Sequence, residues 1–243
     1  MNIKLQKYQK TFPYSYSYGP YATYELIKYQ PNEVQQVIFH SKSEKNEGVQ
    51  QIKKFCKENA IPTEINDGII KKLTGKENIF VLGMFSKYQN SIDPHVPHLM
   101  LVSPGDTGNL GTIIRTMLGY EIRNLAIIRP GVDIFDPKVV RASMGAVFPM
   151  QFEYFDSLKQ YTTKYNHHLY AFMTDGEREV SQIKYQEPYT LIFGNESSGL
   201  PESYKKISQT VRISQSPQID SLNLAVSVGI GLYEMYSKKS DRK

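Results

Sequence analysis

The sequence predicts an α/β protein: a parallel sheet with helices on both faces, preceded by a small α/β domain. Three observations carry this. Residues 98–103 (HLMLVS), 124–129 (NLAIIR), 168–174 (HLYAFMT) and 189–194 (YTLIFG) are continuous apolar runs of strand length, as expected of parallel strands covered on both sides. Helical patterns separate them at 109–118, 136–144 and 155–165. Polar loops follow three of the strands, at the sheet end where open parallel sheets bind ligands.

From the amino end, residues 34–40 (VQQVIFH) read as a strand and 48–59 as a helix with Val49, Ile52, Phe55 and Cys56 at helical spacing. Residues 79–85 (IFVLGMF) read as a buried strand. The polar, proline-bearing SKYQNSIDPHVPH then marks a boundary, giving domains 1–93 and 94–243. Residues 211–214 (VRIS) add a last strand, and an apolar helix is expected over 221–236. Seven of the 18 tyrosines lie between Tyr8 and Tyr29. Their rings can stack unpaired RNA bases beside lysines, or fill a loop packed on its neighbour; packing is the expectation for any single ring.

The 243 residues, 40% of them hydrophobic, suffice for a sizeable core. The single cysteine, Cys56, cannot form an internal disulfide. The first ten residues lack an apolar signal core, and the longest uncharged apolar run, 222–233, falls short of the ~20 residues that span a bilayer. A cytoplasmic setting without a membrane partner is the expectation. Residues 1–93 carry 13 lysines, no arginine and 9 acids, whereas all seven arginines fall in 94–243. Lysines alone suit diffuse attraction to a polyanion, and arginine is the planar bidentate donor.

The first polar loop, PGDTGNLG, spaces its glycines as G-x-x-G-x-x-G. That fails the dinucleotide pattern, and no Gly-Lys-Ser/Thr end makes it a phosphate loop. The others are GNESSGLP at 194–201 and SQSPQIDSLN at 214–223. Together they concentrate Asn109, Asn195, Glu196, Ser221 and Asn223, with Arg115 further along the first helix. Asn109 and Ser221 each precede an apolar helix and are also candidates for its N-cap.

Three motifs, N-L-G-x-x-x-R-T (109–116), F-G-N-E-x-x-G-L (193–200) and S-L-N-x-x-V-x-x-G-I-x-L-Y-E (221–234), resemble in order and spacing those of the SpoU/TrmH family of RNA ribose 2′-O-methyltransferases. The resemblance spans 98–237. RASMGAVF, 141–148, is similar to a further Ser-x-Gly-Ala stretch, and 15–90 to the family's small substrate-binding domain. It implies a SPOUT-type fold with a carboxyl-terminal trefoil knot, S-adenosyl-L-methionine as methyl donor, and a homodimer with active sites at the subunit interface. The implied substrate is ribosomal or transfer RNA, with ribosomal RNA favoured, and residues 1–93 are expected to help hold it. A non-catalytic RNA-binding member of the same fold is the alternative.

The same resemblance implies the site. Arg115 matches the catalytic arginine, and Glu196, Ser221 and Asn223 match further active-site positions. Asn109 is placed to hold the ribose or Arg115, and Glu196 to orient Arg115 through a salt bridge. For the donor, Gly194, Ile213 and Leu222 match binding positions, and Thr174 sits at a matching strand end. Gly199 permits close backbone approach, and Met173 supplies a slot wall. Two departures stand out: Asp106-Thr107 where many members have Asn-Pro or Asp-Pro, and Ser197-Ser198 where Gly-Glu is frequent. His95 with His98, and His167 with His168, lack a nearby Cys or acid to complete a ligand set, so no metal is expected.

Overall fold

The computed structural model describes residues 5–76 and 78–240. In chain order come β1 (Tyr14–Tyr18), α1 (Pro20–Tyr29), β2 (Val34–Phe39), α2 (Glu47–Glu58), β3 (Thr63–Ile65), α3 (Asp67–Thr74) and β4 (Val81–Ser86). Then follow β5 (His98–Val102), α4 (Thr107–Gly119), β6 (Asn124–Ile128), α5 (Pro137–Ala142), β7 (Gln151–Phe155) and α6 (Leu158–Lys164). The chain ends with β8 (His168–Phe172), β9 (Arg178–Glu179), β10 (Tyr189–Phe193), β11 (Gln209–Arg212) and α7 (Leu224–Ser240). Two compact units result: residues up to Tyr88 with Asp133–Pro149, and Gln89–Val132 with Met150 onward. The division falls a few residues before the expected boundary, and one internal segment groups with the first unit.

In the first unit a four-stranded sheet runs in the order β1-β4-β2-β3, with β4 antiparallel to both its neighbours and β3 parallel to β2. Asn46 and Asn66 cap α2 and α3 by accepting from the Val49 and Ile69 amides. One sheet face packs Tyr14, Tyr16, Ile38 and Leu82 on Ile70 and Leu73 of α3. The other packs Val37, Phe39 and Val81 on Val49, Ile52 and Cys56 of α2. The tyrosine-rich stretch is therefore a strand and a helix, not a loop. Serine favours turns, yet Ser15 and Ser17 are buried in β1 along with Tyr14 and Tyr16. Ser15 donates to the Phe135 carbonyl, and Ser17 pairs with Thr23 at 2.9 Å.

The segment 133–149 adds α5 against β1. Lys87 reaches Asp133 at 2.7 Å, a pair only about 15% exposed on either side, and Tyr8 donates to the same carboxylate at 2.7 Å. Phe135 and Phe148 meet Phe85 edge to face. Gly145 explains the glycine of RASMGAVF: its φ is +84°, and an added Cβ would lie 2.7 Å from the Glu25 Cβ of α1.

The second unit is a seven-stranded sheet in the order β7-β6-β5-β10-β8-β11-β9, parallel throughout. All residues of β5, β6 and β10 are buried, as their apolar runs predict. On one face Met100, Ala126, Ala171 and Ile192 meet Tyr161 of α6 and Tyr165 just after it. The alternate residues Phe172 and Phe193 stack at 4.3 Å on the other face, where α7 packs against β10 and α4. The sequence reading missed β7 and started the following helix too early. Gln151, Glu153 and Tyr154 face partly to solvent on this edge strand, and Ser157 starts α6 by accepting from the Gln160 amide.

The histidines that meet in the structure are not neighbours in sequence. His98 and His167, from different segments, stack with centroids 4.2 Å apart. His98 Nδ1 lies 2.7 Å from the Tyr161 hydroxyl and Nε2 2.7 Å from the Asp93 carbonyl, while His167 contacts Thr190 Oγ1 and the Pro94 carbonyl. All four ring nitrogens are thus engaged. Burial pushes His98 down to about 4, although the Asp93 carbonyl acts in the opposite direction. An unfolded histidine takes up its proton near pH 6.5, so between roughly pH 6.5 and 4 the unfolded state binds the proton that the folded state refuses. Stability should fall as pH drops through that window, by on the order of 3 kcal/mol. Urea titrations at stepped pH check this, and His98→Asn should flatten the slope.

Candidate active site

The carboxyl ends of β8, β10 and β11 open into a cavity of about 400 Å³ within the second unit. Phe172, Phe193 and Val211 contribute apolar wall. All six residues expected to bind the donor line it: Met173, Thr174, Gly194, Gly199, Ile213 and Leu222. They come from three separate loops, which the parallel sheet brings to one edge. Glu196 and Ser221 line the same cavity, whereas Arg115, Asn109 and Asn223 lie outside its lining.

The loop after β10 is a tight clasp. Asn195 and Gly199 exchange backbone hydrogen bonds of 3.2 and 3.0 Å. Gly194 closes it: a Cβ built there would overlap the Gly199 carbonyl carbon and oxygen. Gly199 itself has φ +65°, the left-handed region that favours glycine. The Asn195 side chain accepts from the Ser197 and Ser198 amides and donates to the Ser103 carbonyl at 2.7 Å. Asn195 thereby fastens this loop to the one after β5.

Glu196 does not meet Arg115. Its carboxylate accepts from the amides of Gly105 (3.0 Å) and Asp106 (3.2 Å), and from Asn109 Nδ2 at 3.3 Å. Asn223 Nδ2 donates in turn to Asn109 Oδ1 at 3.1 Å. One hydrogen-bonded chain, Asn223 to Asn109 to Glu196, therefore joins all three motifs. The expected salt bridge gives way because two adjacent amides at the start of α4 point at the carboxylate and satisfy it. Arg115 is exposed and has no hydrogen-bond or ion-pair partner among the described residues.

Both expected caps are displaced by a short step. Asp106 caps α4, accepting from the Asn109 amide at 2.7 Å, so Asn109 sits inside the first turn with its side chain free for Glu196 and Asn223. Asn223 caps α7 through Ala225 and Val226, and Ser221 is an exposed loop residue. Sequence reasoning left several cavity residues unassigned: Asn195, Phe172, Phe193, Asp175, Glu202 and Asp220. Asp175 was within reach of the strand-end rule, since it follows Thr174 directly. Lys205 holds Asp175 and Glu202 together, yet neither it nor any other Lys or Arg lines the cavity.

A parallel α/β sheet in which the loops after β8, β10 and β11 line one cavity, and a hydrogen-bonded chain joins the last two to the loop after β5, defines an α/β domain of the wound class. Residues 97–233 match the SpoU rRNA Methylase family, and the chain belongs to it. An uncharacterised tRNA/rRNA methyltransferase of Synechocystis sp. is 31% identical over 173 residues, which take in 69% of this chain and 60% of that relative. The AdoMet-bound rRNA methyltransferase from Sinorhizobium meliloti has a TM-score of 0.79 at 24% identity, covering 93% of this chain and 88% of that one. A protein whose structure was solved in work on 2-OH methylation of C/U34 on tRNA is 31% identical, with a TM-score of 0.56. That match covers 61% of this chain and 99% of the other.

Proposed function

We propose that the protein is an S-adenosyl-L-methionine-dependent methyltransferase acting on a ribose 2′-hydroxyl in RNA. The observation that carries this is that two motif loops, after β10 and β11, line one cavity, and the Asn223–Asn109–Glu196 chain ties the third motif, after β5, to its edge. The cavity suits the donor. Its apolar walls can take an adenine, its glycine clasp brings backbone close, and Glu196 and Asp220 face it while Lys205 pairs with the lining Asp175 and Glu202. That charge balance favours a nucleoside bearing a positive charge over a pyrophosphate. When bound, the donor supplies a methyl group already activated on a sulfonium.

The chain's own residues have the remaining tasks of positioning and proton handling. Met173, Thr174, Gly194, Gly199, Ile213 and Leu222 hold the donor. Glu196 and Asn109 fix the start of α4, which carries Arg115. Arg115 grips the phosphate beside the target ribose and stabilises the oxygen as it loses its proton, with Ser221 and Asn223 completing the acceptor side. The first unit helps to hold the RNA. Ribosomal RNA is favoured over transfer RNA, since the match to the tRNA-related structure uses nearly all of that protein but leaves much of this chain outside it.

The carboxyl-terminal trefoil knot belongs to this reading, supported by β10 lying between β5 and β8 in the sheet. So does a homodimer, supported by Val226 and Tyr233, 51% and 57% exposed and one heptad apart on α7. No metal enters the scheme. Calorimetry should give binding of S-adenosylmethionine and none of NAD. Methyl transfer to RNA from cells lacking the protein, with the nucleotide mapped, should yield a 2′-O-methylated ribose. Donor binding without transfer to any RNA would favour a non-catalytic RNA-binding member of the fold.

A further inference from the structure

The tyrosine-rich amino-terminal stretch divides sharply in the structure. Tyr14 and Tyr16 of β1 are core residues, 7% and 0% exposed. The remaining excess collects on one helix: Tyr21 is 70% exposed, Tyr24 36% and Tyr29 40%. Tyr21, Tyr24 and Lys28 fall at positions i, i+3 and i+7 of α1, hence on one face, with Tyr29 beside them. The Lys28 ammonium lies 4.7 Å from the Tyr29 ring centroid. Packing accounts for the buried tyrosines and leaves these three unexplained.

We infer that this face of α1 is a stacking platform for unpaired bases of the RNA substrate. It rests on the reading of the protein as an RNA methyltransferase, and names which surface of the first unit takes the RNA and in which form. The chemistry favours single-stranded RNA over a protein partner. The large apolar side chains that α1 exposes are all tyrosines, flat rings with polar tips, and no exposed aliphatic accompanies them. Flat faces beside a cation hold bases without reading their sequence. The charge of this segment favours a polyanion: the first 93 residues carry 13 lysines against 9 acids, and α2, which packs beside α1, exposes Lys57 and also Lys54, the latter 3.9 Å from Glu58. Lysines of this kind attract a phosphate backbone diffusely while the rings supply close contact.

The test uses the full chain, a fluorescein-labelled unstructured oligouridine, and a duplex RNA of the same length, read by anisotropy. The wild type should bind the oligouridine more tightly than the duplex. Tyr21→Ala, Tyr24→Ala and Tyr29→Ala combined should weaken the single-strand complex roughly fivefold to a hundredfold, and the three phenylalanine replacements should restore it. Lys28→Ala should reduce the log–log salt slope by about 0.7. Circular dichroism and S-adenosylmethionine affinity should match wild type in every variant. The inference is overturned if the triple alanine variant binds oligouridine as wild type does, or if its main effect is a changed oligomeric state by light scattering. Failure of wild type to bind S-adenosylmethionine, with oligouridine binding still dependent on the three rings, would overturn the methyltransferase reading and leave this inference standing.

Discussion

Alanine at position 194 is expected to remove donor binding and part of the protein's stability together. The added methyl would occupy space already filled by the Gly199 carbonyl, and the Leu200 amide nitrogen lies 2.5 Å from the same point. These are backbone atoms, so no side chain can swing aside. The clasp between Asn195 and Gly199 must open, and with it go the Asn195 bond to Ser103 and the placement of Glu196. Overpacking of this kind costs about 1–3 kcal/mol. S-adenosylmethionine affinity should fall at least tenfold, about 1.4 kcal/mol. Gly199→Ala provides the contrast. Nothing lies within 4 Å of its built Cβ, so it meets only the left-handed backbone penalty of about 1–2 kcal/mol. Calorimetric titration and thermal melts of the two variants separate steric from conformational need. Equal losses would show that the clasp is not what shapes the cavity.

Much of the second unit is legible in the sequence itself. The strands β5, β6, β8 and β10 are readable because parallel strands covered on both faces are mostly apolar, with polar residues confined to strand starts (His98, Asn124, His168) or to the hydrogen-bonded Thr190. Edge strand β7 and strand β1 are not. In β7 the polar residues meet solvent in a run of only five, and the tyrosine–serine alternation of β1 reads equally as a polar turn, because burying its serines depends on partners such as the Phe135 carbonyl. The motifs place their residues after three different strands, but spacing cannot distinguish a carboxylate that pairs with arginine from one that collects backbone amides. Glu196 turned out to be the second kind. Nor does any local pattern reveal that residues 133–149 group with the first unit, since that depends on Asp133 meeting Lys87 and on Phe135 and Phe148 meeting Phe85. Long-range pairing is set by the assembled core rather than by neighbours in sequence.

Replacing Arg115 by alanine is expected to slow methyl transfer by roughly 10²–10³-fold, the range for loss of one donor that stabilises a developing oxyanion. Donor binding should be unchanged, because Arg115 does not line the donor cavity. Two roles are open to this arginine, base and clamp. A guanidinium keeps its proton in proteins, so a literal base role demands surroundings that strip it. Arg115 instead stands exposed on α4, with no ion-pair partner among the described residues and Glu196 occupied by amides. A side chain so placed is free to receive a phosphate and to steady a forming alkoxide. Lysine at 115 keeps the charge but loses the fork, so Arg115→Lys should retain measurable activity well above the alanine variant. Single-turnover rates across pH, with donor and RNA affinities measured separately, decide between the roles. A lysine variant that binds both partners normally yet transfers nothing would make the guanidinium itself, and its proton chemistry, indispensable.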